Sequence, residues 1–193
     1  MRVIEFLGQT RAGKTTQVLL LKEYLEKKGF TVAVSLDRER AKAVHVPPSE
    51  CLAFNLVFHS KVIDEYYQHK GTVDFFLVDR GFADVAVWAE VLYLMKKITA
   101  EERDAYRNCW KRFRKMVDVT FYFEVPLEVL FERWKSLPAE AVDEVVMNKT
   151  WMATLERVYQ KLKKKFPQMI EIDGRKGIKE TQQIIQKALA GLL

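Results

Sequence analysis

Short apolar runs alternate with amphipathic stretches along the whole chain. Runs at 2–6, 30–36, 72–79, 119–125 and 169–173 predict five strands. Such runs suit strands that are buried on both faces of a parallel sheet. Helical periodicity predicts helices in the segments between and after them, over 14–29, 46–71, 82–97, 100–115, 127–134, 146–165 and 177–192, with a loop over 135–143. The alternation predicts one α/β domain over residues 1–193, with a mainly parallel sheet and helices on both faces.

Several residues at element ends support these boundaries. Gly29 stands where the first helix would end, and Ser49 is a candidate N-cap for the helix over 46–71. Thr99 and Glu102 have the spacing of a capping box, and Pro126 suits the first position of the following helix. Serine and threonine can accept a hydrogen bond from an unpaired N–H group at the start of a helix, and proline has no N–H group to leave unpaired there.

Composition places the chain among ordinary globular proteins. It has 193 residues, of which 49% are hydrophobic and 30% charged, and a formal net charge of +6. A basic protein can bind nucleic acid, but the same charge suits an enzyme with polyanionic phosphate ligands. The basic clusters at 111–115 and 161–165 fall in helix-like stretches, where we expect solvated faces. A nucleic-acid partner is therefore the less favoured interpretation.

The cysteines and histidines form no ligand set. Cys51 and Cys109 lack metal or redox spacing, and three histidines, His45, His59 and His69, form no HExxH-like motif. We expect free thiols in a reducing, cytoplasmic setting, and any metal to arrive with a substrate. The N-terminal apolar stretch is too short for a signal peptide, and no run suggests a membrane span.

The stretch GQTRAGKTT follows the first predicted strand and opens the first helix. Residues 8–15 match G-x-x-x-x-G-K-[ST], the Walker A P-loop motif, in the strand–loop–helix context that it requires. Backbone N–H groups of such a loop form a nest for phosphates. Lys14 would reach the β- and γ-phosphates, Thr15 would ligate Mg²⁺, and Thr16 would contact the α-phosphate. The prediction is an ATP site formed by Gly8, Gln9, Thr10, Arg11, Ala12, Gly13, Lys14, Thr15 and Thr16.

A second phosphate-site carboxylate is expected at the end of a central strand. The run FFLVD supplies Asp79 there, as a candidate to hold Mg²⁺, with Arg80 directly after it; the alternative is a surface Asp–Arg pair. A switch GTPase is disfavoured because position 82 of a D-x-x-G motif is Phe and NKTW at 148–151 lacks the base-reading Asp. The chain is also too short for a motor with an additional helical domain. A small phosphotransferase remains.

From end to end, the chain resembles the thymidylate kinase family of nucleoside monophosphate kinases. FLGQTRAGKTTQ resembles the family's first strand and P-loop, and FFLVDRGFAD its Asp-Arg-aromatic signature. VTFYFEVPLEVLFERW is similar to the strand and helix that lead into the lid, here about 133–147, and the last quarter of the chain is similar to the family's C-terminal part. The resemblance implies a P-loop sandwich with five parallel strands in the order 2-3-1-4-5, and ATP and acceptor meeting over the strand ends.

The resemblance also implies roles for individual residues. Asp79 becomes an organiser of Mg²⁺ and phosphate, Arg80 a clamp on the acceptor phosphate, and Arg133 a lid arginine that neutralises the transferred phosphoryl group. Lys14 joins these three as a catalytic group. Arg175 or Lys176 would lie over the adenine, and Asp37 with Arg38 would form an acceptor-side loop.

The acceptor half departs from the family pattern. Phe54 is in place, but Phe58 occupies the expected arginine position and Asp84 stands near the place of a serine. Ala89, directly after Trp88, replaces the glutamine that reads thymine. The lid also lacks a second arginine. Phe54, Phe58 and Trp88 would form an apolar acceptor pocket or simply core packing, and Asp84 would face the acceptor or be a solvated helix-start residue. A carboxylate there would repel a phosphate but tolerate a neutral acceptor.

Three functions remain open. The first is a nucleoside monophosphate kinase that transfers the γ-phosphoryl group of ATP to a (deoxy)nucleotide. The second is a kinase of the same fold for a nucleoside or another small hydroxylated molecule, with Asp37 or Asp84 as the base. The third is an ATP-binding regulatory or nucleic-acid-associated protein. The apolar helix over 84–95 would be a homodimer face or part of the buried core.

Overall fold

The computed structural model describes residues 1–135, 148–164, 166 and 169–191. Five strands form one sheet: β1 Arg2–Gly8, β2 Val32–Ser35, β3 Phe75–Asp79, β4 Val119–Glu124 and β5 Met169–Asp173. Every pairing is parallel, and the strand order is β2-β3-β1-β4-β5. The predicted P-loop sandwich and its strand order are confirmed. Most of the predicted lid and of the loop over 135–143 lies outside the described residues.

Helices flank the sheet, and most agree with the predicted ranges to within a few residues. They are α1 Lys14–Lys27, α2 Asp37–Lys42, α3 Cys51–His69, α4 Asp84–Leu94, α5 Ala100–Arg114, α6 Leu127–Lys135, α7 Lys149–Lys163 and α8 Ile178–Leu189. The sequence did not predict α2, and the loop expected at Asp37 and Arg38 is wrong, because both residues belong to this helix. Its six residues are too few for a periodic pattern to emerge.

The capping predictions have mixed outcomes. The Thr99–Glu102 capping box is confirmed, with both reciprocal bonds present. Gly29 follows α1 with a left-handed φ of 92°. The Ser49 N-cap is wrong: α3 begins at Cys51 without a side-chain cap, because Ser49 lies in a turn that the Glu50 N–H closes on the Pro47 carbonyl. Pro126 precedes α6 instead of opening it, and its carbonyl accepts a bond from the Leu130 N–H.

Helix α4 forms part of the core. Eight of its residues are buried, and its apolar side chains share two hydrophobic clusters with α3, α5 and α7. The prediction of a homodimer face over 84–95 is therefore wrong, since the chain's own helices cover that apolar surface. The alternative, a buried core helix, is correct.

The remaining expectations concern the cysteines, a metal site and a membrane span. Cys51 and Cys109 are free thiols. The described ranges contain no cluster of three or more His, Cys, Asp or Glu side chains arranged for a metal ion. Within the same ranges, we find no helix with the length and apolar character that a membrane span requires.

Candidate functional site

The P-loop connects the end of β1 to the start of α1. Gly8 has φ 138° and Gly13 φ 99°, both angles that residues with a side chain rarely adopt. A Cβ on Gly8 would lie 2.7 Å from the Phe123 carbonyl oxygen on β4, so the loop also needs glycine for close approach. The predicted strand–loop–helix context is confirmed, with Gly13 preceding Lys14 at the first position of α1.

Lys14 is held inside this loop. The residue is only 5% exposed, and its Nζ donates to the Gln9 carbonyl at 3.0 Å. The same Nζ lies 3.9 Å from Oδ1 of Asp79. Burial lowers the pKa of Lys14, and the Asp79 carboxylate partly offsets that effect. The ammonium group is thus fixed inside the P-loop, next to the Asp79 carboxylate.

Asp79 ends β3 beside the first turn of α1. The Thr15 hydroxyl donates to Oδ2 of Asp79, whereas the buried Oδ1 has no hydrogen-bond donor within the described part of the chain. Burial raises the pKa of Asp79, and Lys14 opposes that rise. A hydroxyl and an incompletely satisfied carboxylate in contact are hard oxygen ligands, the type that Mg²⁺ prefers. The two predicted metal ligands therefore fit a magnesium ion.

The rest of the loop has a buried and an exposed side. Gln9 and Ala12 are buried, and the Ala12 N–H donates to the Gln9 carbonyl at 3.2 Å. Residues at positions 11, 13, 15 and 16 are exposed, and Thr10 is half-buried. Thr15 and Thr16 therefore lie on the exposed side of the loop, where a phosphate chain would approach.

Arg80 lies between two carboxylates. Its Nε lies 3.1 Å from Oδ2 of Asp84, and its Nη1 lies 3.2 Å from Oδ2 of Asp37. Its guanidinium carbon is 5.1 Å from the centre of the Trp88 ring. Burial lowers the pKa of Arg80, but Asp37 and Asp84 outweigh that effect and raise the pKa above its ordinary value. The predicted phosphate clamp is thus paired with two acids.

Asp84 is fully buried, so the alternative of a solvated helix-start residue is wrong. Besides Arg80, its carboxylate accepts a bond from the Tyr159 hydroxyl at 3.1 Å and lies 3.6 Å from Nε2 of His59. Burial raises the pKa of Asp84, but Arg80 and His59 outweigh burial and hold the pKa well below its ordinary value. The aspartate at the start of α4 therefore anchors the Arg80 side chain.

Tyr159 is a site residue that the sequence did not reveal. Its hydroxyl lies 3.2 Å from the Gly8 carbonyl and thereby connects the P-loop with Asp84. Its helix, α7, was predicted, but no local motif marks the position. Glu5 was missed too, although a carboxylate within an apolar strand was a usable signal. It accepts bonds from the N–H groups of Gly81 and Ala83, which follow Arg80.

The predicted aromatic residues are buried to different degrees. Phe58 and Trp88 are 4% and 6% exposed, so packing accounts for much of their surface. Phe54 is half-buried and stacks on Phe58 with ring centres 6.1 Å apart. Trp88 approaches Trp151 at 5.9 Å. We refer to these four rings together as the aromatic wall, of which Trp88 is the member that packs on Arg80.

The residues predicted to contact the transferred phosphate and the adenine lie on the other side of the P-loop. Arg133 donates to the carbonyl oxygens of Arg11 at 3.1 Å and Gly174 at 2.6 Å. Arg175 pairs with Asp173 at 2.8 Å, and Lys176 pairs with Glu180. The loop after β5 therefore packs next to the P-loop, whereas the position over an adenine and the roles of these cations stay predictions. Arg38 is exposed on α2.

Comparisons with known proteins identify the fold. No protein-family model and no curated protein sequence matches the chain. Three solved structures that resemble it are those of deoxyadenosine kinase from M. mycoides. The complex with the products dCMP and dCDP has a TM-score of 0.73 and 16% identity, over 98% of this chain and 99% of the other.

The other two structures contain triphosphates. The complex with dATP has a TM-score of 0.73 and 15% identity, over 97% of this chain and 98% of the other. The complex with dCTP has a TM-score of 0.74 and 15% identity, over 98% of this chain and 99% of the other. At such identities the likeness shows a shared fold along nearly the whole chain. The resemblance to thymidylate kinases stays a prediction.

Proposed function

We propose that this protein is an ATP-dependent phosphotransferase that transfers the γ-phosphoryl group of ATP to a hydroxyl group of a nucleoside. The observation that carries the proposal is the position of Arg80 between Asp37 and Asp84, beside the P-loop. The P-loop supports ATP as the donor, and the paired arginine favours an acceptor without a phosphate.

The argument about the acceptor is electrostatic. An arginine that clamps an acceptor phosphate needs uncompensated positive charge, but two carboxylates lie within 3.2 Å of the Arg80 guanidinium. A phosphate entering here would meet two negative charges of its own sign. A hydroxyl group brings no charge and can donate a hydrogen bond to a carboxylate.

Asp37 is the candidate general base. Its side chain is 29% exposed, whereas that of Asp84 is fully buried, so only Asp37 can meet an entering hydroxyl group directly. In the proposed step, the hydroxyl oxygen forms a bond to the γ-phosphorus while its proton passes to Asp37. The bond between that phosphorus and the bridging oxygen breaks, and ADP carries the electron pair away.

The P-loop residues stabilise the transferred group. The ammonium of Lys14 is held in place by the Gln9 carbonyl and needs no reorganisation when negative charge moves toward the leaving group. Thr15 and Asp79 would hold Mg²⁺, which when bound neutralises charge on the β- and γ-phosphates. The fold also supports this proposal, since one of the structural neighbours is a deoxyadenosine kinase with dCMP bound as a product.

A nucleoside monophosphate kinase is the second candidate. The order of the motifs resembling thymidylate kinases favours it, with Arg80 directly after Asp79 at the end of β3. A charged acceptor would have to draw Arg80 away from one of its two carboxylates. The two candidates therefore differ in whether the productive acceptor carries a phosphate.

Measuring ATP consumption against matched nucleosides and their monophosphates tests the proposal. We expect nucleosides to be phosphorylated, and Lys14→Ala to abolish turnover while the protein stays folded. We expect Asp37→Asn to lower the rate of transfer by about a hundredfold or more but to keep Mg–ATP binding, as measured by calorimetry. Turnover of monophosphates alone would establish the second candidate. Turnover of neither, with salt-dependent binding of oligonucleotides, would instead support a nucleic-acid-associated protein.

A further inference from the structure

Arg40 is a charged side chain in the interior. It lies near the end of α2 and is only 1% exposed. Within the described ranges, no carboxylate lies within 4.0 Å of its guanidinium group. Its Nη1 donates to the Ser35 hydroxyl, and its Nη2 donates to the carbonyl oxygens of Asp79, at 2.6 Å, and of Arg80.

Stability alone does not explain a buried arginine with such partners. Removing a guanidinium group from water is costly, and an apolar side chain of similar volume often serves a core better. Burial lowers the pKa of Arg40, although Asp37 offsets part of that effect. The planar fork of arginine can nevertheless do what an apolar side chain cannot, because its donors reach two neighbouring acceptors in a fixed geometry. Here those acceptors are the carbonyls of two consecutive site residues.

The backbone that Arg40 holds has an unusual conformation. Arg80 has φ 59°, in the left-handed region that residues with a side chain seldom occupy. A non-glycine residue persists there only where its surroundings fix it. The bonds from Arg40 hold the carbonyl on each side of the Arg80 Cα. This left-handed conformation of Arg80 directs its side chain toward Asp37 and Asp84.

The same short helix also carries Asp37. Asp37 begins α2 and Arg40 lies one turn later, so the contacts of Arg40 attach this helix to the end of β3. The guanidinium carbon of Arg40 also lies 4.8 Å from the centre of the Phe58 ring, on the acceptor side. Arg40 thus joins three parts of the site: the strand end, the helix with Asp37, and the aromatic wall.

We propose that Arg40 is a positioning residue, which fixes the left-handed turn at Arg80 and holds Asp37 against it. The part concerning Asp37 rests on the proposed function. The part concerning Arg80 is a statement about geometry and can be tested without any acceptor.

The first test uses kinetics and calorimetry. Arg40→Met keeps most of the side-chain volume but removes the guanidinium group. Arg40→Lys keeps a positive charge but also lacks the planar guanidinium. Lys42→Met, an exposed position on the same helix, is the matched control. We expect Arg40→Met to lower kcat about tenfold or more, since small errors in positioning are costly, with the Kd of Mg–ATP within about threefold because the P-loop contacts remain. Should Arg40→Met not fold, Arg40→Lys takes its place.

A double-mutant cycle separates positioning from general stability. If Arg40 acts by holding Asp37, then Arg40→Met in an Asp37→Asn background lowers kcat by less than about twofold further. A full tenfold additional loss would overturn the link to Asp37. Thermal melting of each variant shows whether any loss of activity merely follows unfolding.

Nuclear magnetic resonance of the Arg80 Nε–H group tests the geometry alone. In the wild-type protein this group donates to Asp84, so we expect a sharp, slowly exchanging signal that Arg80→Lys identifies by its loss. We expect the signal to shift and exchange faster in Arg40→Met and to stay unchanged in Lys42→Met. An unchanged signal in folded Arg40→Met would overturn the proposal. A changed signal in a protein that phosphorylates no acceptor would leave the positioning role in place and remove the proposed function.

Discussion

Nε of Arg80 lies 3.1 Å from Oδ2 of Asp84, and the two side chains form an ion pair that is almost completely buried. The pair joins the end of β3 to the first turn of α4. Each oxygen of the Asp84 carboxylate has a donor, Arg80 at Oδ2 and Tyr159 at Oδ1, so the carboxylate is satisfied without water. Arg80 is therefore held in place by contacts that exist before any ligand binds.

We expect Asp84→Asn to lower the free energy of unfolding by about 3 kcal/mol at pH 7, because the change leaves a buried guanidinium with one charged partner fewer. Asp84 has a depressed pKa in the folded state. Its stabilising effect is thus present above its unfolded pKa and is lost as the pH falls below it. The difference between wild type and variant should therefore narrow below about pH 4.

Urea unfolding at several pH values measures this effect. Glu90→Gln is the control, because Glu90 pairs with Arg107 at 3.9 Å on the more exposed side of the same helix. We expect that change to cost about 1 kcal/mol or less. Equal losses for the two variants would mean that burial does not strengthen the Arg80–Asp84 pair.

Glu5 makes a second prediction about pH. Burial raises the pKa of Glu5 to about 7, although N–H groups of Ala83 and Gly81 favour the charged form. Between the unfolded value of 4.5 and the folded value of about 7, the folded state binds more protons. Its contribution to stability is therefore lost as the pH rises through this window.

Comparison with Glu5→Gln isolates that contribution from other titrating groups such as His59. We expect the stability of the wild type, relative to the variant, to fall by about 2 kcal/mol between pH 5.5 and pH 8. Urea unfolding at both pH values measures the difference. A constant difference would show that Glu5 does not change its protonation in this range.

Tyr159 provides a third prediction, since one hydroxyl group lies 3.2 Å from the Gly8 carbonyl and 3.1 Å from Asp84. We expect Tyr159→Phe to lower the free energy of unfolding by about 2 kcal/mol, because a bond to a buried charged group is lost. Tyr122→Phe is a matched control: the two rings pack 5.2 Å apart, but the Tyr122 hydroxyl has no hydrogen-bond partner in the described ranges. Similar losses in urea unfolding would contradict a specific role for the Tyr159 hydroxyl.

The sequence predicted most of the fold because the signals for it are local. Buried parallel strands are continuous apolar runs, and the lengths of the segments between them leave room for helices. The P-loop was predicted for the same reason, since one stretch of eight residues carries its backbone and its chemistry. Helix α2 was missed because six residues show no period, and the Ser49 cap was wrong because the preceding prolines form a turn of their own.

The contacts around Arg80, on the proposed acceptor side, could be predicted only in part, because they join distant parts of the chain. Tyr159 is 75 residues from Asp84 and 151 from Gly8 in the sequence. No spacing rule connects such positions before the sheet order is known. Asp84 was singled out, but its neighbours decide whether it is solvated or paired. Arg40 gave no signal because its partners are two backbone carbonyls and one serine hydroxyl, which no sequence motif marks.

Gly8 allows a prediction that separates two requirements for glycine, a permissive φ and open space. Its φ is 138°, and a Cβ would lie 2.7 Å from the Phe123 carbonyl oxygen and 3.1 Å from the Phe123 Cβ. Gly29 has φ 92°, with no atom within 4 Å of such a Cβ, so Gly29→Ala tests the φ requirement alone. We expect Gly29→Ala to cost about 1 kcal/mol of unfolding free energy and to leave Mg–ATP binding unchanged.

Gly8→Ala should cost clearly more than Gly29→Ala, because the backbone at the base of the P-loop must move away from β4 to admit the methyl group. That movement would also shift the Gly8 carbonyl, which Tyr159 holds, and the N–H groups that follow it in the loop. We therefore expect at least a tenfold weaker Kd for Mg–ATP by calorimetry, since the nest depends on the aligned N–H groups. If both variants lose equal stability and Gly8→Ala binds Mg–ATP normally, the contact with Phe123 does not constrain the loop.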